Sequence, residues 1–244
     1  MRLTKEVFLS LFFAGIAAVL VLCMVLLENP ASTSISSDEK MTVSGVFIAC
    51  CCIGITLALY PRWIRKITRK NIQMTQDIKE RPRRSFHGHH PECERFQTHT
   101  ITIHKKTWCT GCLGLLIGSL ASIFVMFIYV LYPVRLSSLN FFMILFIGLF
   151  IIALIYIEII VGSKYLGTHI LSSAMLVPSF FLITMSVTEL TGKMIFSVLT
   201  VLLCVLWLDT RVVISNARHR QTCSSCKESC KMYAPSVPNV ERSL

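Results

Sequence analysis

Six stretches of the chain run for about 18 residues or more with almost no charge, long enough for a helix to cross a hydrocarbon core of roughly 30 Å. They are Val7–Leu27, Thr42–Tyr60, Cys109–Leu131, Leu139–Val161, Ile170–Val187 and Met194–Ile214. In lipid every backbone N–H and C=O must find its partner inside the segment, so each stretch is expected to be a helix. The predicted fold class is an all-α polytopic membrane protein with six transmembrane helices. Its predicted organisation is helices 1 and 2 over residues 1–60, a polar loop over 61–108, helices 3 to 6 over 109–214, and a tail over 215–244. With 54% of its residues apolar and a mean hydropathy of +0.65, the chain is too apolar for a soluble domain, which needs polar groups to cover its surface.

Between the spans, polar residues are unevenly shared. Glu28–Met41, Tyr132–Ser138 and Thr188–Lys193 are short, whereas Pro61–Trp108 and Ser215–Leu244 hold most of the polar mass. Within the long loop, Tyr60, Ile64, Ile67, Met74 and Ile78 recur at helical steps among Arg62, Arg65, Lys66, Arg69, Lys70 and Lys79. That pattern predicts a basic amphipathic helix that either continues from the second span or bends onto the membrane surface, ended at Arg81-Pro82 because the residue before proline avoids the helical region. The tail beyond Met232, with Pro235 and Pro238 and few apolar residues, reads as disordered.

Charge then orients the spans. If Met1 is inside, 21 of the 24 Lys and Arg residues fall on one side and only Lys40, Arg135 and Lys193 on the other. By the positive-inside rule both termini, the long loop and the tail are cytoplasmic, in a multi-pass protein of the cell membrane. The net charge of +11 accordingly reflects topology and attraction to anionic lipid headgroups, not nucleic-acid binding. Arg2 and Lys5 before an apolar run resemble a signal peptide. The run is longer than the usual signal core, and no small-x-small cleavage site precedes Asn29-Pro30, so a retained anchor is expected.

The candidate chemistry is cysteine and histidine. Of eleven cysteines, Cys23, Cys50, Cys51, Cys52 and Cys204 lie within spans, where cysteine packs as a small apolar residue. The other six fall on the expected cytoplasmic side, where thiols stay reduced and metal or redox work is favoured over a structural disulfide. In the long loop, His87-Gly88-His89-His90-Pro91-Glu92-Cys93 is followed by His99 and by Cys109-Thr110-Gly111-Cys112. Two cysteines three positions apart can bite one ion; Cys93 and His99 would complete a tetrahedral Cys₃His site. His89, His90 and His104 are rival fourth ligands. In the tail, His219, Cys223, Cys226 and Cys230 repeat the pattern, either as a second site or as part of the first. Zinc is the default ion for such a set. An iron–sulfur cluster more typically takes four cysteines, which neither group supplies alone, although the two groups pooled hold six.

His90-Pro91-Glu92-Cys93, Phe96, His99 and Cys109-Thr110-Gly111-Cys112-Leu113-Gly114 together resemble the prokaryotic membrane-protein family catalogued as domain of unknown function 2085, particularly its archaeal-type members. The resemblance covers roughly His87 to Ser119. Glu94 and Gly111 stand where the commoner bacterial pattern has His and Arg. The resemblance implies no particular activity, but it does imply that Cys93, Cys109 and Cys112 act together.

Two acidic residues, Glu158 and Asp209, fall inside spans about one turn from the cytoplasmic ends and are functional candidates by position. Pairing of Asp209 with Arg211 or Lys164 is one expected way to satisfy them. No row of charges crosses the bilayer centre, which counts against an ion-coupled transporter. No nucleophile–base pair, phosphate-binding loop or haem-attachment motif is present. The leading expectation is a non-enzymatic scaffold or accessory subunit with a cytoplasmic metal module, working beside other membrane-complex subunits. A redox or electron-transfer subunit and a metal-ion transporter are the alternatives.

Overall fold

The computed structural model describes residues 5–28, 35–59, 86–87, 99–103, 106–132, 136–162 and 165–224. Six long helices account for nearly all of them: α1 (Lys5–Leu27), α2 (Ser37–Leu59), α3 (Thr110–Leu131), α4 (Ser138–Val161), α5 (Leu166–Thr191) and α6 (Met194–Ser224). All six are long and apolar enough to cross a membrane. They match the six predicted spans, with ends that differ by up to about five residues except in α6, which runs ten residues past its predicted end. The amphipathic helix predicted after Tyr60 and the disordered tail lie outside the described residues. Residues 215–224, expected to begin the tail, instead continue α6, whose 31 residues extend roughly 46 Å.

Local sequence explains the helix ends. Ser36 and Glu39 form a reciprocal cap on α2, Ser36 N donating to Glu39 Oε2 at 3.1 Å and Glu39 N to Ser36 Oγ at 3.3 Å. The Ser137 side chain accepts from Asn140 N at the start of α4. Gly162 and Gly192 end α4 and α5 with φ of 83° and 60°, a region that an L side chain enters only with strain. The Arg218 guanidinium of α6 lies over Gly162 and donates to the Ile159 carbonyl, satisfying a backbone group that the end of α4 leaves open.

α5 is the central helix, packed against α1, α3, α4 and α6. Outward faces carry Phe8, Phe12, Phe124, Phe127, Phe146, Phe150 and Leu154, all exposed, as suits surfaces that meet lipid chains. Apolar side chains gain little from burial when lipid is the alternative, so close packing and internal hydrogen bonds hold such helices together. The α3–α5 contact shows this most clearly. A Cβ on Gly114 would sit 2.5 Å from Ser173 Cβ and 2.6 Å from the Ile170 carbonyl oxygen, and one on Gly118 would meet the Ala174 carbonyl. Pro178 has no N–H to donate to Ala174, four residues back. Gly118 therefore approaches the carbonyl whose helical donor is missing, a geometry that a Cα–H···O contact stabilises.

On the opposite side, Trp207 of α6 is 2% exposed. Its Nε1 donates to the Ala14 carbonyl of α1 at 3.0 Å, and Tyr156 Oη of α4 donates to the Trp207 carbonyl at 2.7 Å. One residue thus ties α1, α4 and α6 together.

Because α1 and α6 run antiparallel, the start of α1 lies beside the end of α6, where Arg220 and Glu6 stand 3.7 Å apart. This end, called the N-terminal end below, also carries the starts of α3 and α5. At the far end Lys40 Nζ lies 3.2 Å from Glu189 Oε1 and 3.7 Å from the centre of the Tyr129 ring. Tyr129 Oη donates to the same carboxylate at 2.7 Å. Sequence reading assigns Lys40 and Glu189 to loops, but both are helical residues that join α2, α3 and α5.

A small sheet, not expected from the sequence, covers the N-terminal end. β1 (Phe86–His87), β2 (Thr100–Ile103) and β3 (Lys106–Cys109) lie in the order β1-β3-β2, with β1 parallel and β2 antiparallel to β3. Ile101 faces Trp108 and Thr100 faces Cys109 in register. β3 runs directly into α3, so Cys109 ends the strand and caps the helix with extended backbone (φ −74°, ψ 128°).

These contacts predict that Gly114→Ala and Gly118→Ala each destabilise the folded protein by about 1–3 kcal/mol, the usual range for forcing a methyl group into a filled contact. Gly54→Ala should be neutral, since nothing lies within 4 Å of its Cβ position. Thermal unfolding in detergent checks both.

Candidate functional site

Cys109 and Cys112 occupy the entry to α3, one as its cap and the other in its first turn. Three-residue spacing there puts both thiols on the same side of the helix, and they are hydrogen-bonded to one another. Both are buried, at 5% and 9% exposure, and neither is in a disulfide.

Gly111, between them, leaves open a space ringed by three groups. A Cβ there would lie 3.8 Å from Arg211 Nη2, 3.8 Å from Cys109 Sγ and 3.9 Å from Ser173 Oγ. Arg211 comes from α6. It donates through Nη2 to Ser173 Oγ, while its Nε, shielded from solvent, has no hydrogen-bond acceptor among the described residues. The guanidinium is a positive charge beside the thiol pair.

Beside the thiols lies a second polar group. Glu158 of α4 stands 3.1 Å from His169 Nδ1 of α5 and accepts from Ser172 Oγ at 3.1 Å. His169 in turn packs against His99, ring centres 4.4 Å apart, and His99 meets His219 edge-on at 5.9 Å. Thr110 Oγ1 donates to the His99 carbonyl at 3.1 Å, and this bond, with the β2–β3 pairing, holds His99 beside the entry to α3.

These groups share a cavity of about 680 Å³ between α2, α3, α5 and α6, closed at its polar end by Glu158 and Ile159 of α4. Its polar end carries Cys109, Cys112, Glu158, His169, Arg211 and His219, and its walls include Phe47, Leu115, Val177, Phe180, Val201 and Leu208.

The predicted ligands separate in this geometry. Cys109 and Cys112 come together, and His99 and His219 meet near them. The side chain of Cys223 is not described, and Cys93, His89, His90, His104, Cys226 and Cys230 lie outside the described residues. Among the described residues no group of three or more His, Cys, Asp or Glu side chains is placed to hold a metal ion. The donor set described is therefore a dithiol beside a cation. A tetrahedral zinc site or a four-cysteine cluster would need two further ligands beyond this pair. Of the five cysteines expected only to pack, Cys51 and Cys204 are buried, Cys50 is half-buried, and Cys23 and Cys52 are exposed on the outer surface.

The expected Asp209–Arg211 pair does not form. Residues two apart on a helix point to different sides; Arg211 faces the thiols and Asp209 is exposed. Lys164 lies outside the described residues. Glu158 has its partners on α5 instead. Sequence reading missed Arg211 as a site residue, although its signal was present as an ionisable group inside the sixth apolar run. Comparison of the chain with protein-family models, with curated proteins and with solved structures finds no match in any of the three.

Glu158 and His169 are predicted to be energetically coupled. A double-mutant cycle of Glu158→Gln and His169→Gln, read by thermal unfolding, should give a coupling of about 1 kcal/mol. The same cycle between Glu158 and Asp209 should give none.

Proposed function

We propose that this chain is a membrane-embedded thiol–disulfide redox protein whose working centre is the Cys109–Cys112 pair, serving as a redox subunit of a larger membrane system. The observation that carries this reading is the placement of two adjacent buried thiols at a helix entry, with the Arg211 guanidinium against them. A dithiol exchanges electrons by losing two protons and two electrons as its sulfurs join. That chemistry needs the two sulfurs close together and open to a reaction partner. Their adjacency supplies the first, and the cavity they line supplies the second. The positive-inside count supports a cytoplasmic setting for this end of the bundle, with both termini on the same side.

A second reading, a zinc module, is supported by a different observation. The β2–β3 pairing and the Thr110–His99 bond hold the chain near Cys109 only six residues after Cys93, within roughly 20 Å of extended chain. A third thiolate is thus within reach of the pair, and zinc would take Cys93, Cys109, Cys112 and a histidine. Bound there, zinc would contribute folding free energy and silence the thiols as electron carriers.

One experiment decides between them. Purified protein, prepared without chelator, is equilibrated in mixtures of reduced and oxidised dithiothreitol, then alkylated and weighed, with metal content measured in parallel. The redox reading predicts one reversible two-electron transition that disappears in Cys109→Ser and in Cys112→Ser. About one zinc per chain, released only by Cys substitution and accompanied by unreactive Cys109 and Cys112, would overturn it in favour of the metal module.

A further inference from the structure

A dithiol that is buried on every side has a restricted choice of partners. Thiol exchange with another protein requires an incoming sulfur to approach in line with one of these sulfurs, and at 5% and 9% exposure Cys109 and Cys112 offer no surface for that approach. The open route is the cavity. It has an apolar body, with Phe47 and Phe180 in its walls, and a polar end where the thiols, Arg211 and His169 meet. Its apolar body lies between helices long and apolar enough to cross a membrane, and Val205 and Val212 of its lining are partly exposed. Its 680 Å³ is in the range of sites for small organic ligands, roughly 300–1,000 Å³. An occupant suited to it enters from the bilayer, is mostly apolar, carries a hydrogen-bond acceptor for a guanidinium, and takes two electrons.

Resting on the dithiol reading above, we propose that the cavity binds a membrane quinone and that the Cys109–Cys112 dithiol reduces it. One quinone carbonyl oxygen accepts from Arg211, whose Nε has no acceptor among the described residues, and the apolar walls hold the ring and the start of its tail. In the reaction both S–H bonds break and one S–S bond forms. The two electrons and two protons released convert the two quinone carbonyls to hydroxyls, so dithiol plus quinone gives disulfide plus quinol. Arg211 binds the oxygen on which charge builds as the ring accepts electrons, a role for preorganised donors. The disulfide is returned to the dithiol by an external dithiol, dithiothreitol in the assay.

The test uses the full chain in lipid nanodiscs, reduced, freed of reductant and mixed anaerobically with a short-chain ubiquinone. Quinol is read by ultraviolet absorbance and the cysteines by alkylation and mass spectrometry. The expected result is one quinol formed per disulfide closed between Cys109 and Cys112, with none in Cys112→Ser. Arg211→Leu should weaken the dependence on quinone concentration about tenfold, the scale of a lost charge-assisted hydrogen bond. Arg211→Lys should recover part of that loss, which a purely structural role would not produce. Val177→Trp, filling the cavity, should abolish quinone reduction in protein that still melts cooperatively. If the dithiol cycles with dithiothreitol but quinone neither binds nor oxidises it, or binds and leaves it reduced, this inference is overturned and the dithiol reading stands. If the dithiol does not cycle with either, both fall.

Discussion

The contact between α3 and α5 sets the position of everything at the N-terminal end. Gly114 and Gly118 let α3 lie directly on the backbone of α5 around Ile170 and Ala174, an approach that any larger residue would prevent. Cys112 is two residues before Gly114, so the depth and rotation of α3 at this crossing fix where the thiols stand. Ser173 links the two features. Its Cβ lies against Gly114, and its hydroxyl accepts from Arg211. Packing of two helices and orientation of a cation from a third therefore meet at one small side chain.

Among the described residues the charged groups of the bundle lie toward its two ends. At the far end Lys40, Tyr129 and Glu189 satisfy one another across three helices, and the carboxylate there has both a cation and a phenol as partners. At the N-terminal end Glu158 is engaged by His169 and Ser172, and Arg211 donates to Ser173 with the thiols and Glu158 nearby. The far end holds helices together; the N-terminal end also sets a cation beside two sulfurs.

Much of the fold was legible in the sequence, because a bilayer leaves a long apolar run few alternatives to helix. The boundaries of α4 were within one residue, where Ser137 caps its start and Gly162 its end; α5 ran four residues further at each end than its apolar stretch. The sheet was not legible. Thr100–Ile103 and Lys106–Cys109 are four residues each, and their alternation is too short to stand out against the surrounding polar loop. The site was half legible. Spacing marked Cys109 and Cys112 as two sulfurs able to bite one ion and offered His99 beside them, whereas His219 was grouped with the tail cysteines, as a second site or as part of the first. Arg211 was read as one more interfacial charge, and Asp209 was offered as its partner, since hydropathy carries no information about which side of a helix a residue takes. The Gly114-x-x-x-Gly118 spacing was also present in the sequence, but its meaning depends on the small residues Ser173 and Ala174 opposite, which only the packing reveals.

The central claim is that Cys109 and Cys112 are a functional redox pair and not two ligands of a resident metal. Differential alkylation of every cysteine in native membranes, followed by mass spectrometry, tests it most directly. The account predicts that Cys109 and Cys112 pass between thiol and disulfide together as the membranes are made reducing or oxidising, while Cys51 and Cys204 keep their thiols throughout. Cys109 and Cys112 that stay unreactive under both conditions and become alkylated only when a chelator is added would contradict it.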